Sequence, residues 1–383
     1  MRLLSSSRAQ VAALAVVLVL FGYNVIQYFS FVIETPWQLD FSDFYFAART
    51  GLAHGWAQMY NTAVSMPALY AATGNWFPFQ HSPVLAWLLV PLSQLPYALA
   101  LSIWNGFLFG CYVVCWRLCA PGSRERRLLL LVAGLGLYPV VLGLALGQPT
   151  MLVLAGVSLC FWLLRHNRPL LAAAALALLA VKPQSSFLVP LALLFAGRIR
   201  VFAGWAVLSL GVAVLAVLAL GQQGLQDWAH AISIAQNLPG IRFNSVGSVI
   251  GPGLPATAVG IAAAGIALVI GRLAAREGPE LPIAAGLSGS VLASPYLSVT
   301  DLSALLIAAW LVLRLDPPGW LKALMVVGYV PFFFANALFM HGPFLLLECA
   351  WLLGLLVFTI SRRREGDLED WLRSPDSNRE PSR

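Results

Sequence analysis

The chain has 383 residues, of which 60% are hydrophobic and only 10% are charged, and its mean hydropathy is +0.80. Soluble globular domains carry about a quarter charged residues, so this composition excludes them and predicts a polytopic membrane protein. The net charge is +7. The basic residues form small clusters between apolar segments, which indicates cytoplasmic loops and argues against a nucleic-acid partner.

Apolar segments recur along the chain and predict an all-α transmembrane helical bundle of about 12 spans, some short or broken. They cover residues 9–29, 98–118, 128–146, 150–164, 169–181, 185–196, 201–220, 255–274, 281–293, 300–314, 320–339 and 343–360. The first segment has a long apolar core and no small-residue cleavage site, so we expect a retained helix and not a signal peptide. Residues 1–364 are expected to form one transmembrane domain, and the polar residues 365–383 a disordered cytoplasmic tail.

Clusters of arginine and lysine fix the predicted topology. They are Arg2 and Arg8; Arg117, Arg124, Arg126 and Arg127; Arg165 and Arg168; Arg198 and Arg200; Arg272 and Arg276; Arg314 and Lys322; and Arg362, Arg363 and Arg364. The positive-inside rule places these clusters and both termini in the cytoplasm. The loops 30–97 and 221–254 and the turns near Gln148, Lys182 and Tyr296 then lie on the outer face.

The segment 169–197 has basic residues at both ends, so it must enter the membrane and return. Each arm is only about 18 Å long as a helix, whereas the hydrocarbon core is ~30 Å thick. Pro183 breaks the helix at the turn. Lys182 is therefore predicted either to be buried or cavity-facing, which indicates function, or to snorkel to the outer interface.

The first outer loop, residues 30–97, is too long for an ordinary connection and is rich in aromatic residues. Residues 41–55 have helical spacing and predict a short interfacial helix, with Asp40 at its cap and Asp43 in its first turn. Both carboxylates either carry chemistry or simply complement the helix dipole. The aromatic residues form either an interface belt or a platform for a sugar or isoprenoid chain.

Ordered motifs occupy this predicted outer face. They are Asp40-Phe41-x-x-Phe44-Tyr45-x-Ala47-Ala48; Phe77-Pro78-Phe79-x-x-Ser82-Pro83; Gly147-Gln148; Lys182-Pro183-Gln184; and Ala293-Ser294-Pro295-Tyr296 with Asp301-Leu302. In order and spacing they resemble the GT-C class of integral membrane glycosyltransferases. Within that class the chain is most similar to glycosyltransferase family 87, the polyprenol-phosphate-mannose-dependent mannosyltransferases and their bacterial relatives.

The resemblance implies a mechanism and a location. The donor would be a hexose, with mannose favoured, on a polyprenyl phosphate that faces the periplasm of a bacterial inner membrane. The acceptor would be a lipid-linked or cell-envelope glycan, and transfer would invert the anomeric carbon. Asp40 matches the family's general base by its spacing to Phe44 and Tyr45, and Asp43 is the fallback. We predict no cofactor and no metal.

The chemistry asks for similar groups independently. One carboxylate suffices to deprotonate the attacking hydroxyl, and the leaving phosphate needs cationic donors. Lys182 is the first candidate for that role, followed by Arg49 and Arg242. Further candidates for substrate contact are Gln148, Tyr45, His81, Tyr296 and Asp301. For Gln148 and His81, an ordinary helix-end or loop role remains open.

Two other functions remain open. A secondary transporter would suit the broken, lysine-bearing hairpin, although the sequence shows no repeated half. A non-catalytic scaffold or lipid-linked-sugar carrier would use the same cavity for binding alone. The cysteines Cys111, Cys115 and Cys119 recur at helical spacing without other ligands nearby, which favours a helix contact over a metal site.

Overall fold

A computed structural model describes residues 7–34, 40–74, 76–237, 245–333 and 341–373. These residues form helices and no strand, which confirms the all-α prediction. The α-helices are α1 (Ser7–Glu34), α2 (Asp40–His54), α3 (Thr62–Thr73), α4 (Pro83–Ser93), α5 (Tyr97–Cys119), α6 (Arg124–Leu135), α7 (Tyr138–Leu146), α8 (Thr150–Arg165), α9 (Pro169–Leu176), α10 (Leu188–Phe195), α11 (Ile199–Asn237), α12 (Val246–Ile250), α13 (Leu254–Leu273), α14 (Glu280–Ala293), α15 (Ser303–Leu313), α16 (Gly319–Tyr329) and α17 (His341–Arg373). Short 3₁₀ helices cover Trp56–Gln58, Ala177–Ala180, Pro183–Ser185, Val299–Leu302 and Val330–Phe333.

Several helices have the length and composition to cross a bilayer, so the chain is a helical membrane protein. Five described helices qualify singly: Leu14–Glu34, Tyr97–Cys119, Ile199–Ile234, Leu254–Leu273 and Phe344–Glu365. The pair α6 and α7 makes a sixth candidate, bent by 63°. The remaining apolar segments are shorter helices, so the total of about 12 spans stays a prediction.

Helix covers two segments that the sequence predicted to be non-helical. The predicted loop from residue 221 is helical through Asn237, as a second stretch of α11 that follows a break at Gly221 (φ 61°, ψ −174°), where the backbone leaves the helical conformation. The helix α17 continues to Arg373, through the first part of the segment from residue 365 that was expected to be a disordered tail. That stretch is polar but consists largely of good helix formers, and polarity alone does not stop a helix already under way.

Small residues let the central helices approach closely. A Cβ on Gly271 of α13 would lie 2.5 Å from the Ala192 carbonyl oxygen, and one on Gly286 of α14 would lie 2.6 Å from the Val189 Cα. Such contacts are typical of membrane helix interfaces, where van der Waals packing replaces the hydrophobic effect. They hold α10, α13 and α14 in one tight layer.

The helices α5, α8 and α15 pack together. The helix α5 starts at Tyr97, beside α2, and carries Arg117 in its last turn. At the helical rise these two residues are about 30 Å apart. The bundle therefore has a carboxylate end near α2 and a separate arginine end, which the following sections treat in turn.

Candidate functional site

The helix α2 presents the two carboxylates of the first outer loop. It begins at Asp40, with Asp40 and Asp43 in its first turn, close to the predicted bounds. Residues three apart share one helix face, and both side chains remain partly exposed. Phe41 and Phe44 point into the core and are fully buried. These aromatic anchors hold the first turn in place while the carboxylates stay accessible.

Gly147 brings α2 against the start of α8. It caps α7 with φ 71°, in the left-handed region that glycine tolerates best. A Cβ at this position would lie 2.8 Å from the Phe41 Cβ. Its carbonyl oxygen accepts a hydrogen bond from Trp104 Nε1 at 2.7 Å. The Gly-Gln motif thus has a physical basis: glycine permits the contact, and the next residue meets Asp40.

Gln148 joins the carboxylate to a buried lysine. Its Nε2 donates to Asp40 Oδ2, and its Oε1 accepts from Lys182 Nζ at 2.9 Å. Only this amide orientation matches donors with acceptors on both sides. The Gln148 amide therefore links the Lys182 ammonium to the Asp40 carboxylate through two hydrogen bonds.

Lys182 lies at the break that the sequence predicted between α9 and α10. Its backbone (φ −154°, ψ 84°) lies outside the α region, which a following proline disfavours. The side chain is only 1% exposed, so it is buried and does not snorkel. Its Nζ lies 2.8 Å from Asp301 Oδ1 and also donates to Thr150 Oγ1 at 2.9 Å and Thr300 Oγ1 at 3.3 Å.

Asp301 completes this network from the start of α15. Its Oδ2 accepts from the Ser298 backbone N–H at 3.1 Å in a capping box. Its Oδ1 faces Lys182 and also accepts from Thr150 Oγ1 at 3.3 Å. Each carboxylate oxygen thus has a partner, so the buried charge is both paired and hydrogen-bonded, as its burial requires.

The environments of the two partly exposed carboxyl groups on α2 differ. Burial raises the pKa of Asp40 above its usual value of 3.8, while the Gln148 hydrogen bond and the Lys182 charge oppose the rise. Burial raises the pKa of Asp43 well above 3.8, the Asp40 charge adds to the effect, and only the Ser42 hydrogen bond opposes it. Asp40 is therefore the carboxylate that ionises more readily.

An aromatic wall borders the carboxylates. The His81 ring packs edge-on against Phe44, with centroids 4.9 Å apart, and its backbone carbonyl accepts from Tyr60 Oη at 2.6 Å. Tyr60 in turn stacks on Trp228 at 5.4 Å. Burial, reinforced by the Lys182 charge, lowers the pKa of His81 to about 3. His81 therefore stays neutral. Its ring forms part of the aromatic wall, and a neutral imidazole can donate one hydrogen bond and accept another.

Tyr296 closes the same region from the turn after α14. Its hydroxyl is hydrogen-bonded to the Gln80 side chain, and burial followed by the charges of Asp301 and Asp40 raises its pKa. Ser294 Oγ donates to the Tyr296 carbonyl oxygen and shapes the Ser-Pro-Tyr turn. The structure thus brings the last motif to the carboxylate end.

The other predicted residues lie elsewhere. Arg49 donates from Nη1 to Tyr45 Oη at 3.1 Å, while Tyr45 Oη donates to the Leu95 carbonyl oxygen at 2.8 Å. Arg49 lines a separate exposed cavity with Gln94, about 13 Å along α2 from Asp40 by the helical rise. Arg242 lies outside the described residues.

Sequence reasoning missed several members of the network. Thr150, Thr300 and Ser298 were not singled out, although they bind Lys182 or Asp301. Each stands within three residues of a predicted site residue, Gln148 or Asp301. Isolated hydroxyl residues near a motif are too common to be informative without coordinates.

A groove leads away from Tyr296 along α13. It has a volume of about 520 Å³ and is lined by small or apolar residues, among them Gly247, Ala256, Gly260, Ala264 and Pro295. Neighbouring α13 side chains such as Leu254 and Ile261 are largely exposed on the bundle surface. Among the described side chains, no three of His, Cys, Asp or Glu converge in a way that would hold a metal ion.

Comparison with protein families identifies one match. The family model described as glycosyltransferase family 87 matches residues 79–297, more than half of the chain. This range contains His81, Gln148, Lys182 and Tyr296, whereas Asp40, Asp43 and Asp301 lie outside it. Comparisons with curated proteins and with solved structures gave no significant match.

Proposed function

This chain belongs to glycosyltransferase family 87, and we propose that it transfers a hexose from a polyprenyl-phosphate donor to a lipid-linked or cell-envelope glycan. Mannose is the favoured sugar. Membership indicates a membrane-embedded glycosyltransferase in general terms. The donor, acceptor, inverting stereochemistry and outer-face active site belong to the proposal.

The position of Asp40 supports the proposal most directly. Its carboxylate is partly exposed, is hydrogen-bonded to Gln148 and is the more readily ionised of the pair. A general base must be ionised and reachable before the acceptor arrives. We assign Asp40 as the base and retain Asp43 as the fallback.

The proposed transfer is a single displacement at the anomeric carbon. Asp40 accepts the proton of the acceptor hydroxyl as that oxygen bonds to the anomeric carbon. The bond from this carbon to the phosphate oxygen breaks on the opposite face, and polyprenyl phosphate leaves with the electron pair. Phosphate needs no added proton to leave, so one carboxylate suffices and the product is inverted.

The structure changes the role we propose for Lys182. The ammonium is almost fully buried and already surrounded by oxygen atoms of Asp301, Gln148, Thr150 and Thr300, so it does not suit direct capture of the leaving phosphate. Instead, it positions Gln148 and favours the ionised form of Asp40. Of the other two predicted cations, Arg49 lies in a separate cavity about 13 Å along α2 from Asp40, so Arg242 is the remaining candidate for the phosphate.

The groove beside Tyr296 suits the hydrocarbon part of the donor. Its lining is mostly apolar, with glycine, alanine and proline beside Phe187 and Leu292, and it includes Tyr296 at the carboxylate end. An isoprenoid chain there would bury apolar surface while its phosphate stayed near Tyr296 and the base. This arrangement favours a polyprenyl-linked donor over a soluble nucleotide sugar.

The primary test measures transfer by purified protein in proteoliposomes. Radiolabelled polyprenyl-phosphate mannose, glucose, galactose and arabinose are supplied with a lipid extract of the native host. We expect transfer from the mannose donor, and a loss of about 10²–10⁴-fold in Asp40→Asn, since a general base contributes on that order. Donor binding should persist in this variant.

Asp43→Asn is the matched control, because it removes a carboxylate one helical turn away. We expect it to retain most of the activity. If Asp43→Asn lost transfer activity while Asp40→Asn kept it in full, Asp43 would be the base and Asp40 its neighbour. Donor binding without transfer from any of the four sugars would instead indicate a carrier.

A second test examines the groove. Ala256→Phe would fill it, whereas Ala258→Phe places the same ring on the exposed face of α13, outside the groove lining. We expect Ala256→Phe to raise the KM for long-chain donors several-fold and to spare donors with one or two isoprene units. Equal effects of both variants, or on both chain lengths, would contradict donor binding in this groove.

A further inference from the structure

A cavity at the arginine end of the bundle gathers four guanidinium groups from four helices. Arg117 of α5, Arg127 of α6, Arg165 of α8 and Arg314, which follows α15, line one cavity of about 560 Å³. Along α5 this cavity is about 30 Å from the end that packs on α2. It is therefore distinct from the carboxylate site.

The charge in this cavity is not balanced. None of the described residues lining it is acidic. Glu280 lies behind Arg165, with its Oε1 2.5 Å from Arg165 Nη1 and its side chain 2% exposed. This carboxylate offsets one of the four positive charges and leaves an excess at the cavity. Such an excess attracts an anion.

Two of the arginines also have a structural role. Arg127 Nη2 donates to the Arg117 carbonyl oxygen at 2.6 Å, and Arg314 Nη1 lies 3.4 Å from the carbonyl oxygens of Leu118 and Cys119. These contacts satisfy the last turn of α5. Each guanidinium has five donors, so most donors remain for a ligand, and Arg127 Nε is buried without a partner.

Aromatic side chains place the cavity at the depth of lipid headgroups. Phe161 and Trp162 line it, and the Trp162 side chain is 40% exposed on the bundle surface. Arg314 lies over the Phe161 ring at 5.2 Å. Tryptophan beside arginine is typical of the membrane–water interface, and basic pockets between membrane helices bind anionic headgroups.

We propose that this cavity binds a phosphate group, supplied by the headgroup of an anionic phospholipid in the leaflet opposite the carboxylate site. Arginine forks match phosphate oxygens in geometry and charge. The headgroup would bridge α5, α6, α8 and α15 from the side, while its acyl chains lie along the bundle surface. This proposal is independent of the transferase assignment.

The test uses the full chain, purified in neutral detergent and titrated with phosphatidylglycerol, phosphatidylcholine or inorganic phosphate. Binding is read from the shift of the thermal unfolding midpoint. The test variant is Arg117→Gln/Arg314→Gln. The control is Arg168→Gln/Arg200→Gln, which removes two exposed arginines that do not line the cavity. Arg165 is left intact, since its loss would strand Glu280.

We expect phosphatidylglycerol to bind more tightly than phosphatidylcholine, and the cavity variant to lose about tenfold or more of that affinity. The control should stay within about twofold of the parent. A single Arg117→Gln variant should show a smaller loss in the same direction, which guards against misfolding of the double variant.

Stabilisation by inorganic phosphate that depends on the same arginines, without a lipid preference, would support the phosphate site with a soluble ligand as its source. Equal losses in the cavity and control variants, or no stabilisation by either phosphatidylglycerol or phosphate, would overturn the proposal.

Discussion

Two lysine–aspartate pairs at the two ends of the bundle have similar geometry and opposite surroundings. Lys182 Nζ lies 2.8 Å from Asp301 Oδ1 with side chains 1% and 0% exposed, whereas Lys322 Nζ lies 2.5 Å from Asp316 Oδ1 with side chains 32% and 92% exposed. The first pair is enclosed by hydroxyl and amide groups near the proposed base. The second lies in water beside the arginine end.

The comparison shows what burial does to an ion pair. In the interior each charge has been removed from water and depends on its partner. At the surface, water solvates both charges whether or not they meet. Charges at the carboxylate end can therefore fix the position of neighbouring groups, while charges at the arginine end remain available for topology and for external ligands.

The largest effect is expected for Lys182→Met. Removing the ammonium leaves Asp301 buried without its counter-ion, and breaking a buried pair costs about 3–5 kcal/mol of unfolding free energy. The free energy of unfolding is measured by denaturant titration in mild detergent. Gln148 Oε1 would also lose the hydrogen bond from Lys182 Nζ, so transferase activity should fall together with stability.

A double variant shows whether Lys182→Met loses stability because an attraction is lost or because the Asp301 charge is left buried without a partner. Lys182→Met/Asp301→Asn removes both charges, and asparagine can still accept from the Ser298 backbone N–H. We expect it to recover more than half of the stability lost in Lys182→Met. A double variant no more stable than Lys182→Met would show that stranded charge is not the cause.

The position of Lys182 illustrates how far sequence reasoning reaches. Basic flanks, short arms and Pro183 together predicted a lysine at a broken hairpin, and the structure places it there. Its partner Asp301 was singled out only through the family motif, because charge pairing over a separation of more than a hundred residues leaves no local pattern. The role of Lys182 was consequently predicted as direct phosphate contact, whereas its burial in this pair favours a positioning role.

Helix existence was better predicted than helix ends or membrane crossings. Each predicted apolar segment corresponds to a helix or a broken pair, since hydropathy reports burial in lipid or protein. The arginine cavity was not predicted, because the positive-inside rule explains every basic cluster without saying that four arginines from three of the clusters converge. Whether side chains from different helices meet depends on how the helices pack, and the periodicity of a single sequence does not report that packing.

An intermediate effect is expected on the pH dependence of transfer. The base acts in its ionised form, so activity falls as pH falls through the raised pKa of Asp40. Gln148→Leu removes the hydrogen bond that lowers the pKa of Asp40, so this pKa rises further and the acidic limb moves to higher pH, by on the order of one unit. The measurement is kcat/KM for donor against pH in both proteins.

Asp43→Asn is a suitable control for this shift. The pKa of Asp43 is raised further than that of Asp40, so Asp43 is protonated while Asp40 titrates, and asparagine leaves the charge beside Asp40 unchanged. We expect its acidic limb to coincide with that of the parent. A limb that stays in place or moves downward in Gln148→Leu would mean that the amide does not favour the ionised form of Asp40, which contradicts the role assigned to Gln148 here.

The smallest effect is expected for Lys322→Met, the exposed counterpart of Lys182→Met. Lys322 holds the pKa of Asp316 below its usual value through a hydrogen bond and its charge, but Asp316 keeps its hydration when the lysine is lost. Exposed pairs contribute little and are screened by salt. We expect a denaturation midpoint within error of the parent at both low and high salt. A loss as large as that of Lys182→Met would show that burial does not separate the two pairs, and the positioning role of Lys182 would lose its physical basis.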